Sequence, residues 1–480
     1  MRRRSSEPPA GRGLRRLLSR SPDRDDATPG GARTSVAAVA DSAGLLGLID
    51  ARGMAEVPLP EIQDTTPPGV LEAVREIIGE VRRDGDAALR HMARRFDGAT
   101  LEDLAVPPAA CAAALETLEP AVRDALEVAA ERIEEFHRTL REPDHVWSRQ
   151  GVTVRSLWIP VDRAGLYVPG GRAAYPSTVL MTAIPARVAG VASLALCVPP
   201  RPDGTVAPVT LAAAALAGVQ EVYAVGGAGA VAALAYGTGT IPRVDLIAGP
   251  GNVYVAVAKQ EVAGVVGVPS AFAGPSEVVV VADRSAPAEL AAVDLIVQAE
   301  HGPDGMACLV TWDPDVAEAV GAEVVAAAAV APRRAEIEAT LSSSGYAIVV
   351  EDQRQAAEVV NRIAPEHLQL MVAEPEELVP LVRHAGAIFC GQNAPASLGD
   401  YLAGPSHVLP TGRTARFASA LGVADFCRRT HVISAEEDAL LSLGPAVETL
   451  ATAEGLPAHA ASMRRRLDRL RGGDPAGTRP

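Results

Sequence analysis

The chain is poor in aromatic residues, which make up only 3% of its 480 residues. Val, Ala and Leu must therefore fill the interior of a chain that is 48% apolar. Its five cysteines (Cys111, Cys197, Cys308, Cys390 and Cys427) are scattered, odd in number and form no CxxC pair. That excludes a disulfide framework and a thiolate metal site, and makes a reducing cytoplasm the expected location. There is no basic surplus. A net charge of −15 argues against a nucleic-acid partner, whose phosphates call for basic surface. No apolar run reaches the roughly 18 residues that a membrane helix needs. The longest, VTLAAAALAGV, predicts a short buried helix or strand. The length itself is too great for one hydrophobic core, so two or more domains are expected.

The first 34 residues hold nine Arg against four acids, with many Pro, Gly and Ser and no periodicity. They read as the core of a disordered Arg-rich tail over 1–44. A small N-terminal segment, 45–60, leads into long amphipathic helices. Short Val/Ile/Leu-rich runs then alternate with Ala-rich helical stretches: AGLYVPGG, SLALCVPP, EVYAVGG, VDLIAGPGN, SEVVVVAD, ACLVTWD, GYAIVVED and GAIFCG. Such alternation predicts α/β architecture, with parallel sheets covered on both faces by crossover helices. The expected arrangement is two Rossmann-like parallel-sheet domains plus small terminal segments. Residues 61–160 and 276–420 would form the larger domain, with 161–275 inserted as a cofactor domain. Residues 421–472 would be a helical C-terminal segment.

Three of these strands end in glycine-rich turns, YVPGGRAAYPS, AVGGAGAVAAL and AGPGNVYVAVAK. Open parallel sheets bind ligands at the carboxyl ends of their strands, so a glycine-lined crevice is expected there. The weak G-x-G-x-x-A match over Gly227, Gly229 and Ala232 does not by itself identify a dinucleotide site; such glycines also simply permit tight turns.

The stretch IVQAEHG places Gln298 and His301 three apart on one helix face, just before Gly302. NRIAPEHLQL sets Glu366 beside His367 after a proline, which reads as a helix start; an acid and a histidine there can both face a crevice, or be an ordinary Glu near a helix N-terminus with a partly buried His. SLGDYLAGPSHVLPTG carries Asp400 and His407 in a loop after a strand, and AEGLPAHAAS carries Glu454 and His459. Gln298, His301, Asp400 and His459 offer one amide oxygen, two imidazoles and a carboxylate, a sulfur-free set suited to Zn²⁺ or a similar ion. Their wide separation in sequence leaves open whether they meet.

Taken together, GLYVPGG, PSTVLM, GPGN, AGPSEV, QAEH, APEHLQL, GDYLAGPSHVLPTG, TARF and EGLPAHA occur in the order in which they stand in histidinol dehydrogenases, and residues 45–472 resemble that family. The resemblance implies an aldehyde-dehydrogenase-like fold and an NAD-dependent four-electron oxidation of L-histidinol, through L-histidinal, to L-histidine, the last step of histidine biosynthesis. It implies one zinc per subunit, held by Gln298, His301, Asp400 and His459, and Glu366 and His367 as the acid–base pair. Ser276, His407 and Glu454 fall on substrate-contacting positions, as do His367 and the four metal ligands. Tyr167, Gly229 and Asn252 fall on NAD-contacting positions, Gly229 standing where the family usually has glutamine. The resemblance further implies a homodimer in which His459 and Glu454 reach the partner's site, with no nucleic-acid or membrane partner. A related dehydrogenase of another polar alcohol, such as a sulfonated or amino diol, and a zinc-binding scaffold without activity are the alternative readings.

Overall fold

A computed structural model of the chain describes residues 44–59, 67–170, 173–269, 276–300 and 305–472. The expected Arg-rich tail, Gly44 apart, lies outside the described residues, as does His301. The strands run β1 (Gly47–Asp50), β2 (Ala105–Val106), β3 (His145–Arg149), β4 (Val152–Pro160), β5 (Arg163–Tyr167), β6 (Ser193–Val198) and β7 (Glu221–Ala224). They continue with β8 (Leu246–Ala248), β9 (Glu277–Ala282), β10 (Met306–Thr311), β11 (Gly345–Val349), β12 (His367–Met371), β13 (Ala387–Cys390) and β14 (Cys427–Ala435).

Six strands form an all-parallel sheet in the order β1-β11-β10-β9-β12-β13. The run EVVVVA of β9 is buried throughout because helices cover both faces. Alternate residues feed two separate cores. Val278 and Val280 enter one with Leu295 and Val320, while Val279 and Val281 enter the other with Val359 and Ile363. Each such side chain, fully buried, contributes about 1.5–3 kcal/mol.

Five strands form the second sheet in the order β2-β7-β6-β5-β8, parallel except for β2. Here the packing corrects the expected domain grouping. Residues 70–139 join this sheet's core, not that of the six-stranded sheet. The helix Val70–Asp84 shows why. Val70, Val74, Ile78 and Val81 make one buried stripe, Gly85 ends the helix, and the stripe packs on the helices Gly227–Tyr236 and Val253–Val262. The expected N-terminal segment, in turn, is no separate piece: β1 closes an edge of the six-stranded sheet. The C-terminal region is not all helical. β14 pairs antiparallel with β4, which pairs with β3, and the helices Glu437–Ala453 and Pro457–Leu470 then pack on each other.

Candidate active site

The carboxyl ends of β5, β7 and β8 converge as the glycine turns predict. Tyr167 ends β5, is 3% exposed, and its hydroxyl accepts from the Gly227 backbone N–H at 3.1 Å. Burial pushes that hydroxyl up to about 12, so it stays protonated and neutral. Gly249 follows β8 with φ 111°, and a Cβ there would stand 2.0 Å from the Tyr167 carbonyl oxygen. Only glycine permits that approach. Asn252 is exposed and caps the next helix, its Oδ1 accepting from Val255 N–H at 3.2 Å. Gly229 lies buried inside the helix Gly227–Tyr236. Its missing Cβ would sit 2.9 Å from Met92 Sδ, so here glycine serves close helix packing. Lys259, 3% exposed, reaches back under the turn to donate to the Gly249 carbonyl.

Glu366 and His367 stand at the opposite kind of sheet edge, the amino end of β12. The expected helix start is corrected to a strand start. The preceding helix closes at Ala364 in a left-handed turn (φ 54°), Pro365 cannot continue it, and β12 takes over at His367. Gly386 must be small beside this junction, since a Cβ there would meet the Glu366 carbonyl at 2.6 Å. His367 Nδ1 lies 3.7 Å from Glu366 Oε2, and its Nε2 lies 3.6 Å from Asp400 Oδ1. Neither ring nitrogen has a hydrogen-bond partner among the described residues. Burial works against a charged ring, but the Glu366 and Asp400 carboxylates outweigh it and raise His367 to about 8. Burial pushes Glu366 upward, while the neighbouring imidazole and the Ser276 hydroxyl favour its ionised form. An acid and an imidazole so placed can pass a proton between them.

Asp400 comes from the helix Ala396–Tyr401, after β13. The segment then crosses to the five-stranded core. Ser406 Oγ donates to the Met181 carbonyl at 3.0 Å. His407 is fixed through both nitrogens, Nδ1 to the Asp400 carbonyl at 3.0 Å and Nε2 to Thr178 Oγ1 at 2.9 Å. A backbone oxygen can only accept, so Nδ1 carries a proton. Asp400 and His407 thus link the amino end of β12 to the helix Pro176–Ala189 of the five-stranded core.

Of the expected metal set, Gln298, Asp400 and His459 lie among the described residues. Gln298 lies in the last turn of the helix Ala288–Ala299, 5% exposed, with its amide nitrogen unpartnered among the described residues. No group of three or more His, Cys, Asp or Glu among the described residues could hold a metal. Glu454 and His459 are both exposed, on the C-terminal helical pair. Three residues escaped the sequence reading: Glu277, Thr178 and Lys259. An acid heading the otherwise apolar strand of AGPSEV and the solitary lysine of the sequence were the available signals for two of them.

The family model described as histidinol dehydrogenase matches residues 62–467. Histidinol dehydrogenases of Synechococcus sp. and Gluconobacter oxydans are each 49% identical to the chain, over 83% of it and 92% and 93% of their own lengths. A histidinol dehydrogenase structure from Elizabethkingia anophelis superposes with a TM-score of 0.83 at 32% identity, covering 89% of this chain and 99% of that one. With these matches along nearly its whole described length, the chain belongs to the histidinol dehydrogenase family of oxidoreductases.

Proposed function

We propose that the protein oxidises L-histidinol in two stages, through L-histidinal to L-histidine, as an NAD-dependent enzyme in the cytoplasm. The observation that carries this reading is His367, held between two carboxylates at 3.7 and 3.6 Å with both nitrogens open. NAD bound at the carboxyl ends of β5, β7 and β8, with Tyr167, Gly229 and Asn252 about it, would accept the hydride in each stage. In the first stage His367 takes the hydroxyl proton of the alcohol at its open nitrogen. In the second Glu366 takes a proton from water as it adds to the aldehyde while His367 returns its proton to the carbonyl oxygen, and His367 then takes the hydroxyl proton of the resulting hydrate. A base so placed contributes on the order of 10²–10⁴-fold. Ser276 and His407 would contact the substrate, as would Glu454 of a second subunit.

Gln298, His301 and Asp400, with His459 from the other subunit of a homodimer, would hold a zinc ion that anchors the substrate's imidazole and amine. The exposure of Glu454 and His459 supports their use by a neighbour, since neither is buried within its own chain. The test is a count of NADH formed per L-histidinol consumed, with and without a chelator. Two NADH with histidine as product is the expected result, lost on chelation. No NADH from L-histidinol, or full activity after the zinc is stripped, contradicts the reading.

A further inference from the structure

The His367 side chain is buried, yet no hydrogen bond among the described residues orients its ring. Glu366 beside it is tethered, its Oε2 accepting from the Glu277 backbone N–H at 3.3 Å. The angle of the imidazole has to come from packing. The strand register supplies the partner. β12 and β13 pair His367 with Ala387 and Gln369 with Phe389, so these four side chains share one face of the sheet. Leu368, Leu370, Ile388 and Cys390 point the other way, into an apolar core. Phe389 stands diagonally across from His367. Its ring stacks on the imidazole with centroids 6.0 Å apart and planes 22° from parallel.

The same ring meets a second element. Gly399 lies in the helix Ala396–Tyr401, where a Cβ would stand 2.5 Å from Phe389 Cε1 and 2.8 Å from Cζ. A helical backbone accepts alanine readily, so the ring and not the chain path calls for glycine there. The next residue is Asp400, whose Oδ1 faces His367 Nε2 at 3.6 Å. One half-buried aromatic ring on an edge strand thus touches the imidazole and the helix that carries the facing carboxylate.

We propose that Phe389 is a positioning residue for the acid–base histidine: wedged between the imidazole and Gly399, its ring sets the angle at which His367 meets the reacting hydroxyl. This rests on the reading of His367 as the base. A base displaced by on the order of 1 Å can lose on the order of 10²-fold in rate. Binding of the substrate uses other groups and is spared.

The test measures kcat and KM for L-histidinol in F389L, G399A and the double variant, normalised to folded protein. F389L removes the flat face but keeps an apolar side chain. Its kcat should fall about tenfold or more, with KM changed less than threefold. G399A drives a methyl group against the ring and should also lower kcat about tenfold. In F389L/G399A the leucine leaves room for that methyl, so the losses should not multiply, and the double variant should stay within about threefold of F389L. If F389L does not fold, F389M takes its place with the same expectations. A kcat for the folded variant within threefold of wild type overturns the proposal. So does a rise in KM with kcat unchanged, or losses that multiply in the double variant, since each would reduce Phe389 to ordinary packing. H367A run in parallel tests the underlying reading by itself: near-normal turnover there would mean that His367 is not the base, whatever the Phe389 variants do.

Discussion

His367 Nε2 faces Asp400 Oδ1 at 3.6 Å across the gap between β12 and the helix Ala396–Tyr401. With Glu366 on the other nitrogen, the ring has an acidic neighbour on each side and no hydrogen-bonding competitor among the described residues. H367A should lower kcat on the order of 10²–10⁴-fold, the usual loss for a positioned base. Zinc content should stay near one per subunit, because the ring is not among the expected ligands. Initial NADH rates and elemental analysis of the purified variant check both halves. Near-normal turnover would remove His367 from the mechanism.

Thr178 is the less obvious partner in the site. It lies on the helix Pro176–Ala189 of the five-stranded core, yet its hydroxyl holds His407 Nε2, a candidate substrate contact, at 2.9 Å. T178V keeps the shape and deletes the hydrogen bond, which at about 1 kcal/mol corresponds to roughly fivefold. The expected effect is that rise in KM for L-histidinol, with kcat little changed, measured by steady-state kinetics. An unchanged KM would mean that His407 is oriented without Thr178.

Much of this was legible in the sequence, and the failures have local causes. The eight apolar runs all became strands, because a sheet covered on both faces demands unbroken Val and Leu, as in EVVVVA. The PEHLQL segment misled because a proline after a helix suits either a new helix or a strand. Ala364 in the left-handed region settles it for a strand, and that conformation has no sequence mark when alanine adopts it. The grouping of residues 70–139 could not be read because amphipathic helices announce a buried stripe without saying which sheet receives it. Glu366, His367 and the metal-ligand candidates stood out by their chemistry, whereas Ser276, Tyr167 and Asn252 were found through the resemblance. Thr178 and Lys259 touch His407 and the Gly249 turn, contacts that only the folded geometry reveals.

His459 lies on the exposed face of the helix Pro457–Leu470. If it completes the site of a neighbour, damage to the two halves of the site is complementary. A mixture of H459A and H367A subunits, refolded or co-expressed in equal amounts, should regain about a quarter of wild-type activity, since half the dimers are mixed and each holds one intact site. Each variant alone should be inactive. Absence of any regain in mixed dimers confirmed by mass would argue that His459 serves its own chain.

Lys259 is the chain's one lysine, and it is buried under the turn that follows β8. Its link to the Gly249 carbonyl fixes the turn that presses on Tyr167 and leads to Asn252. Burial lowers its ammonium from 10.5 to about 7. In that interval the unfolded chain binds a proton that the folded chain does not, so stability rises with pH. The penalty of burying the amine is thus fully present below pH 7, shrinks as pH climbs, and is gone above 10.5. K259M removes the titration. Relative to K259M, the wild-type protein should gain stability between pH 7 and pH 9.5, by several kcal/mol if the depression is as large as burial implies. Denaturant midpoints of both proteins at a series of pH values measure this difference, in which all other titrating groups cancel. The same variant should bind NADH about tenfold more weakly by fluorescence titration, because the turn loses its anchor. A pH-independent difference in stability would show that Lys259 keeps its charge in the folded protein, and unaltered NADH binding would show that the turn holds without it.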